Sequence, residues 1–274
     1  MSIRSVVKYT LVSLFALPWV VVPLWLLVVN SFKGEGEAAQ LSLALPSDWS
    51  AVANYTAVFQ TGNYLVGLKN SLLVAVPTII VVLLLGSLAA WAYARSPKRS
   101  FQFFFYLTCL SILLPPAVIP TIFLLTTMHL DGSVAGYALM MMASRMGIVV
   151  FLTTGFIRGL PVELEEAASI DGATRLRTYF SVLLPMLKPI LFVGAVMLVI
   201  QVWNDFFFAL LLLKTSANAT LPLTLFSFAS ASAQSLRWNL VFAHVVLTSL
   251  PLVVVYLIAQ KRVLAGLTEG GLKG

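Results

Sequence analysis

"PVELEEAASIDGATRLRTYFSVLLPMLKP", residues Pro161 to Pro189, is a polar stretch in a chain that is otherwise 60% hydrophobic. Pro161 suits the first position of a helix, and Glu163, Glu165 and Glu166 then place negative charge at that helix's positive end. Leu164, Ala167 and Ala168, three and four residues apart, share one face with small side chains. Asp171-Gly172 breaks the helix. Asp171 is suited to cap a second one, and Gly172 permits the tight turn between them. In that second helix Leu176, Tyr179, Phe180 and Leu183 recur at helical spacing, and Pro185 and Pro189 are expected to end it. The stretch, about 161–189, therefore reads as a short helix–turn–helix with no nucleophile, no metal-ligand cluster and no phosphate-cradling glycine loop. Two uses fit it: a knob that docks on another protein surface, or an amphipathic element resting on lipid headgroups.

Outward from this stretch the chain is apolar on both sides. Only 10% of its 274 residues are charged, against about a quarter in soluble domains, and the mean hydropathy is +0.98. Apolar runs long enough to cross about 30 Å of hydrocarbon recur along the whole length. No polar stretch is long enough to build a separate soluble core, so the expectation is an all-α integral membrane protein, one transmembrane domain over 1–274. Six transmembrane helices are expected, at about 8–31, 65–94, 101–127, 134–158, 189–213 and 240–260. The apolar run from Tyr9 to Val29 is too long for a cleavable signal peptide and lacks a small-residue cleavage site. Cys109 lies in an apolar run and has no partner for an intrachain disulfide.

The net charge of +7 does not point to nucleic acid, because the basic residues sit in short clusters beside apolar runs. Arg4, Lys8, Arg95, Lys98, Arg99, Arg158, Arg175, Arg177, Lys188 and the tail lysines and arginine fall on one side of the expected spans. Lys33, Lys69, Lys214 and Arg237, diluted by Glu35, Glu37, Asp48 and Asp131, fall on the other. By the positive-inside rule both termini and the 161–189 loop are expected to be cytoplasmic.

Two loops on the far side are substantial. The one before the sixth span, "KTSANATLPLTLFSFASASAQSLRW", has little charge and many small residues, so a flexible loop is expected. "LLPPAVIP", with three prolines within six residues, must kink or break the third span. "GSVAG" and "GFIRG" fit ordinary small-residue helix packing.

Two ionisable side chains lie inside expected spans, where charge is costly and marks function by default. Arg145 lies about eleven residues, roughly 16 Å, from the outer end of the fourth span, and Asp205 about eight residues, roughly 12 Å, from that of the fifth. The depths match within about one turn. Arg145 is therefore either half of a structural pair, with Asp205 or with another subunit, or a group facing a substrate path. His244, in the sixth span, is expected to be a hydrogen-bonded packing residue.

The pattern Glu166-Ala167-Ala168, then Gly172, then Val182, then Leu184-Pro185 resembles the signature loop of ABC importer permease subunits, with Val where the family usually has Ile. "NYTAVF" (Asn54 to Phe59), "NSLLVA" (Asn70 to Ala75), "WNDFFFALLLL" (Trp203 to Leu213) and the tail "QKRVLAGLTEGGLKG" (Gln260 to Gly274) are similar to the carbohydrate-uptake branch, in particular its second, maltose-system permease. The resemblance implies the type I importer permease fold and makes the loop a coupling helix seated on an ATP-binding subunit, through Glu166, Ala167, Ala168, Asp171, Gly172, Leu184 and Pro185. It also implies the plasma membrane of a prokaryote, a homologous second permease, two copies of the ATP-binding subunit, an extracytoplasmic substrate-binding protein and a sugar or polyol substrate. Trp203, Asn204 and Asp205 form a recurring group, which with Arg145 gives the candidate translocation path. Arg145 stands where such permeases usually have apolar or proline residues, which points to an unusual, anionic substrate. The implied chain is not an enzyme: it binds no cofactor or metal itself, and ATP and magnesium belong to the partner subunits. A glycerophospho-compound or amino sugar fits the same branch, and a stand-alone secondary transporter is the rival from another class.

Overall fold

The computed structural model describes the backbone of residues 3–114, 116–230 and 236–271, and side chains at 14, 17–114, 116–230 and 236–260. Among these residues the regular structure is all helical. In order the helices are α1 (Ile3–Ser31), α2 (Glu35–Ala38), α3 (Ala51–Thr61), α4 (Tyr64–Arg95), α5 (Arg99–Leu113), α6 (Val118–Thr127) and α7 (Val134–Arg158). They continue with α8 (Glu163–Ile170), α9 (Arg175–Thr178), α10 (Leu184–Trp203), α11 (Phe207–Leu212), α12 (Leu221–Ser230) and α13 (Trp238–Gly271). Four helical runs are long and apolar enough to cross a membrane: Tyr64–Arg95, Val134–Arg158, Arg175–Trp203 and Trp238–Gln260. The pair α5 and α6 makes a fifth, bent by 112°. Of the expected first span, the described apolar part is the shorter Leu17–Ser31. Arg4, Lys8 and the tail motif after Gln260 lie outside the described side chains.

The bend between α5 and α6 follows from its prolines. Leu114, which precedes one, is extended (φ −101, ψ 117), the conformation that a following proline imposes. Pro120 sits in the first turn of α6, where a missing N–H costs nothing.

The chain groups into two compact units, Met1–Leu68 with Thr220–Pro251, and Lys69–Ala219 with Leu252–Gly274. In the first, polar side chains tie the helix ends together. Asn54 donates from its Nδ2 to the carbonyls of Ser31 (2.9 Å) and Lys33 (2.8 Å), and its Oδ1 accepts from Asn239 Nδ2 (2.8 Å). Lys33 is fully buried, with no carboxylate paired to it among the described residues. Its ammonium donates instead to Ser42 O (2.9 Å), Ser42 Oγ (2.8 Å) and Asn30 Oδ1 (3.2 Å). Three acceptors are as many as an ammonium can use, which is how a lone buried cation is tolerated. His244 is fully buried as a packing residue, its ring nitrogens 3.3 Å from Gly62 O and 3.2 Å from Thr248 Oγ1.

The segment expected as a flexible loop before the last span is instead largely helical. Leu221–Ser230 forms α12, which buries Leu221, Leu223 and Thr224. Its apolar residues recur at helical spacing, and the contact is close: a Cβ at Gly67 would lie 2.7 Å from Thr224 Oγ1. Residues 231–235 of that segment lie outside the described ones.

In the second unit, α4, α7 and α10 share two small apolar cores. One centres on Val82, Val149 and Leu198, the other on Ala90, Ile157 and Leu187. α5 lies against α7 where Gly147 leaves no room for a side chain, since a Cβ there would stand 2.6 Å from Thr108 O. The expected packing glycine Gly155, by contrast, faces nothing within 4 Å. Asn70 holds the turn after α11, donating to Ala217 O (2.8 Å) and Ala219 O (3.0 Å).

Candidate functional site

The loop after α7 forms the expected helix–turn–helix, with corrections to its chemistry. α8 carries Glu163, Glu165 and Glu166 in its first turn and buries none of its residues. Asp171 closes α8 rather than capping the next helix. Gly172 follows at φ +77, with Ala173 N bonded to Ala168 O at 2.9 Å. The glycine is needed for that left-handed backbone and not for space, as a Cβ there would meet nothing within 4 Å. The second cap is Thr174, whose hydroxyl accepts from Arg177 N at 3.4 Å. Thr174 is extended and directly precedes α9, the position from which a side chain reaches the free N–H groups.

Pro185 does not end the second helix either. Tyr179–Leu183 is a π turn, in which Leu184 N bonds to Tyr179 O five residues back, and the run Arg175–Trp203 continues through both prolines. The wider turn lets the helix pass a residue that has no N–H to give. The expected apolar stripe is split: Tyr179 and Leu183 are buried, while Leu176 and Phe180 are 62% and 55% exposed. Tyr179 packs inward on Trp91 and shares a 2.6 Å hydrogen bond with Ser87.

One residue of α8 ties the loop to a membrane helix. Glu165 Oε1 accepts from Arg95 Nε (2.7 Å) and Oε2 from Trp91 Nε1 (2.8 Å), while Arg95 Nη2 donates to Leu160 O (3.0 Å). Charge-assisted bonds of this length, half-buried, are the strong class. The rest of the loop faces out: Glu166, Ala167, Asp171 and Gly172 are exposed, Leu184 is half-buried, and Ile170 at the tip is 86% exposed.

The second candidate cluster is also assembled. α10 stops at Trp203 and α11 starts at Phe207, so Asp205 sits in a break rather than inside a continuous fifth span. Asp205 Oδ1 accepts from Ala209 N (3.2 Å), in the first turn of α11, and from Tyr137 Oη (2.7 Å). Arg145 Nη2 stands 3.8 Å from Asp205 Oδ2. The pair expected from matching depths is thus present but long, and the shorter bond goes to a tyrosine. Tyr137 and Arg145 are about 12 Å apart along α7 and reach Asp205 from either side. Trp203 is buried, while Asn204 is exposed and bonds back to Ile200 O at 2.9 Å. Arg145 Nε is buried without a hydrogen-bond partner among the described residues. No group of three or more His, Cys, Asp or Glu able to hold a metal occurs among them.

Several helices apolar and long enough to cross a membrane, one of them followed by a break at a charged residue, and an exposed helical loop between two spans fit a membrane-embedded transport subunit. The chain belongs to the family of binding-protein-dependent transport system inner membrane components, whose model matches residues 73–268. It is 30% identical, over 97% of both chains, to the "Probable starch degradation products transport system permease protein AmyC" of Thermoanaerobacterium thermosulfurigenes. It is 29% identical to the diacetylchitobiose uptake system permease protein NgcG of Streptomyces coelicolor, covering 97% of this chain and 88% of that one. The melibiose/raffinose/stachyose import permease protein MelC of Bacillus subtilis is 30% identical, over 92% of this chain and 91% of its own. In fold the chain matches a bacterial ABC transporter involved in the import of the acidic polysaccharide alginate. The TM-score is 0.80 at 22% identity, over 94% of this chain and 96% of that one. The fold is therefore that of a type I ABC importer permease.

Proposed function

We propose that this chain is one permease subunit of an ATP-driven, binding-protein-dependent importer of sugars or related polyols. It acts as one transmembrane domain with both termini in the cytoplasm. The observation that carries the reading is the exposed α8–Gly172–α9 loop clamped to α4 through Glu165, together with relatives named for oligosaccharide import. In this reading Glu166, Ala167, Ala168, Asp171 and Gly172 present the coupling surface to an ATP-binding subunit. The salt bridge then passes its displacement into α4, and the run through Leu184 and Pro185 passes it into α10. ATP hydrolysis belongs to two copies of that subunit, and a homologous permease and an extracytoplasmic binding protein complete the machine. The alginate transporter of similar fold has a structure with its substrate-bound periplasmic protein, which supports the last of these.

Gentle solubilisation of the tagged chain is the test. Copurification of an ATPase and a second permease, with oligosaccharide uptake that needs ATP and a binding protein, is the expected result. Proton- or sodium-driven uptake by the chain reconstituted alone would overturn it. A charged sugar derivative is favoured as substrate by one observation: Arg145 Nε is buried without a hydrogen-bond partner among the described residues, and its Nη2 stands 3.8 Å from Asp205 Oδ2, while Tyr137 and Ala209 both bond Oδ1.

A further inference from the structure

At the ends of α4 and α7 and the start of α5 lies a cavity of about 390 Å³ that neither candidate site uses. Tyr93, Ser96, Gln102, Phe105, Tyr106 and Arg158 line it. Arg158 is in the last turn of α7 and lies over the Phe105 ring, 5.3 Å from its centroid. Stacking on an aromatic face holds a guanidinium in place while leaving its in-plane N–H groups free. Among the described residues no carboxylate pairs with Arg158, and no side-chain hydrogen bond engages Arg158, Tyr93, Gln102 or Tyr106. Tyr106 is 69% exposed, and Tyr93 is fixed between the rings of Phe101 (6.3 Å) and Phe105 (6.1 Å).

The place of the cavity along the chain limits what can enter it. Each of the three helices passes here from apolar sequence into the basic cluster Arg95, Lys98, Arg99 and Arg158, so the cavity lies at the boundary of hydrocarbon and water. Tyrosines and arginines at that depth meet headgroups, and basic pockets between membrane helices suit anionic ones. A guanidinium fork flanked by phenolic and amide donors matches the oxygens of a phosphate.

We propose that this cavity is a binding site for the phosphate of an anionic phospholipid, held by Arg158 with Gln102, Tyr93 and Tyr106. The site is separate from the coupling loop and from Asp205. The full chain, purified with its accompanying subunits in nanodiscs of phosphatidylcholine doped with phosphatidylglycerol, is assayed for bound lipid by native mass spectrometry. Phosphatidylglycerol should be retained in preference to phosphatidylcholine. Arg158→Gln should weaken retention about tenfold, the loss of one charge-assisted contact. Arg99→Gln, which removes the same charge outside the cavity, should leave retention near the parent's. Gln102→Leu with Tyr106→Phe keeps every charge and should also weaken retention, which tests the site even if Arg158→Gln fails to assemble. Equal losses in Arg158→Gln and Arg99→Gln would reduce the effect to a diffuse basic belt and overturn the site. Displacement of the lipid by inorganic phosphate would assign the cavity to a free anion instead. Unchanged lipid retention with loss of the ATP-binding subunit from Arg158→Gln would make it a subunit interface. Each of these results defeats the proposal.

Discussion

At the residue scale the chemistry of the membrane interior rests on Asp205. Three groups converge on it: Tyr137 Oη at 2.7 Å, Ala209 N at 3.2 Å and Arg145 Nη2 at 3.8 Å. Tyr137 and Ala209 hold the carboxylate in place, and the guanidinium supplies the opposite charge at longer range. Removing Asp205 strands Arg145 near the membrane centre, at a cost of about 2.5–3.5 kcal/mol on insertion scales. Asp205→Ala should therefore lower the thermal stability of the assembled complex, and Arg145→Ala added to it should recover part of the loss. Tyr137→Phe separates anchoring from charge. It should cost about 1.5–3 kcal/mol of stability, as for a bond to a charged group, and leave the charge pair in place. If Arg145→Ala assembles normally, keeps basal ATPase and loses uptake, the arginine serves substrate. If it assembles and transports like the parent, neither role holds. Depth counting along two spans brings Arg145 and Asp205 to one level, and that much was legible in the sequence. Tyr137 was not, because a tyrosine two turns away along a helix carries no mark of polarity until the fifth span breaks and turns its aspartate toward it.

At the element scale the bend and the clamp of the α8–Gly172–α9 loop are separately specified, and in the coupling role proposed for it each can be tested alone. Gly172 at φ +77 sets the bend, so Gly172→Ala should cost about 1–2 kcal/mol locally and weaken coupling. Gly172→Pro, which cannot adopt a positive φ, should abolish uptake while the spans still insert. The ratio of substrate-stimulated ATPase to uptake checks both, and normal values would remove the loop from the coupling path. Glu165 is the clamp. Glu165→Gln removes the charge opposite Arg95 and should reduce uptake more than basal hydrolysis, whereas Glu163→Gln on the exposed side of α8 should change neither. The two helices and the glycine turn were readable from acidic, small and left-handed-tolerant residues in order. The cap falls on Thr174 and not on Asp171, because Asp171 closes the first helix and only the extended backbone at Thr174 aims its hydroxyl at the free N–H groups. Pro185 and Pro189 look like a stop by a local rule, which cannot see a π turn. Tyr179, which opens that turn, points inward to Ser87 and Trp91.

At the scale of the whole molecule the long apolar helices and the proline break between α5 and α6 follow directly from composition and spacing. The helix α12 was hidden in a stretch rich in small residues, since its identity comes from Leu221, Leu223 and Thr224 packing inward and not from charge patterning. Asn54 and Asn70 stand first in two motifs quoted from the sequence, yet their roles as hydrogen-bond hubs need the fold. In the importer we propose, the segment before the last span faces the binding protein. Deleting 227–235 should abolish stimulation of the ATPase by that protein and spare basal hydrolysis, and surviving stimulation would make the segment a mere connector.

The buried ammonium of Lys33 has a practical consequence for chemical footprinting. A water-soluble acylating reagent should modify Lys214, whose side chain is 58% exposed, and pass over Lys33, which is fully buried. Because the acceptors around Lys33 among the described residues come from Asn30 and Ser42, separation of those two residues should uncover it. Acylation at Lys33, read by peptide mass, would then time the opening of that segment in the working transporter, with no label introduced.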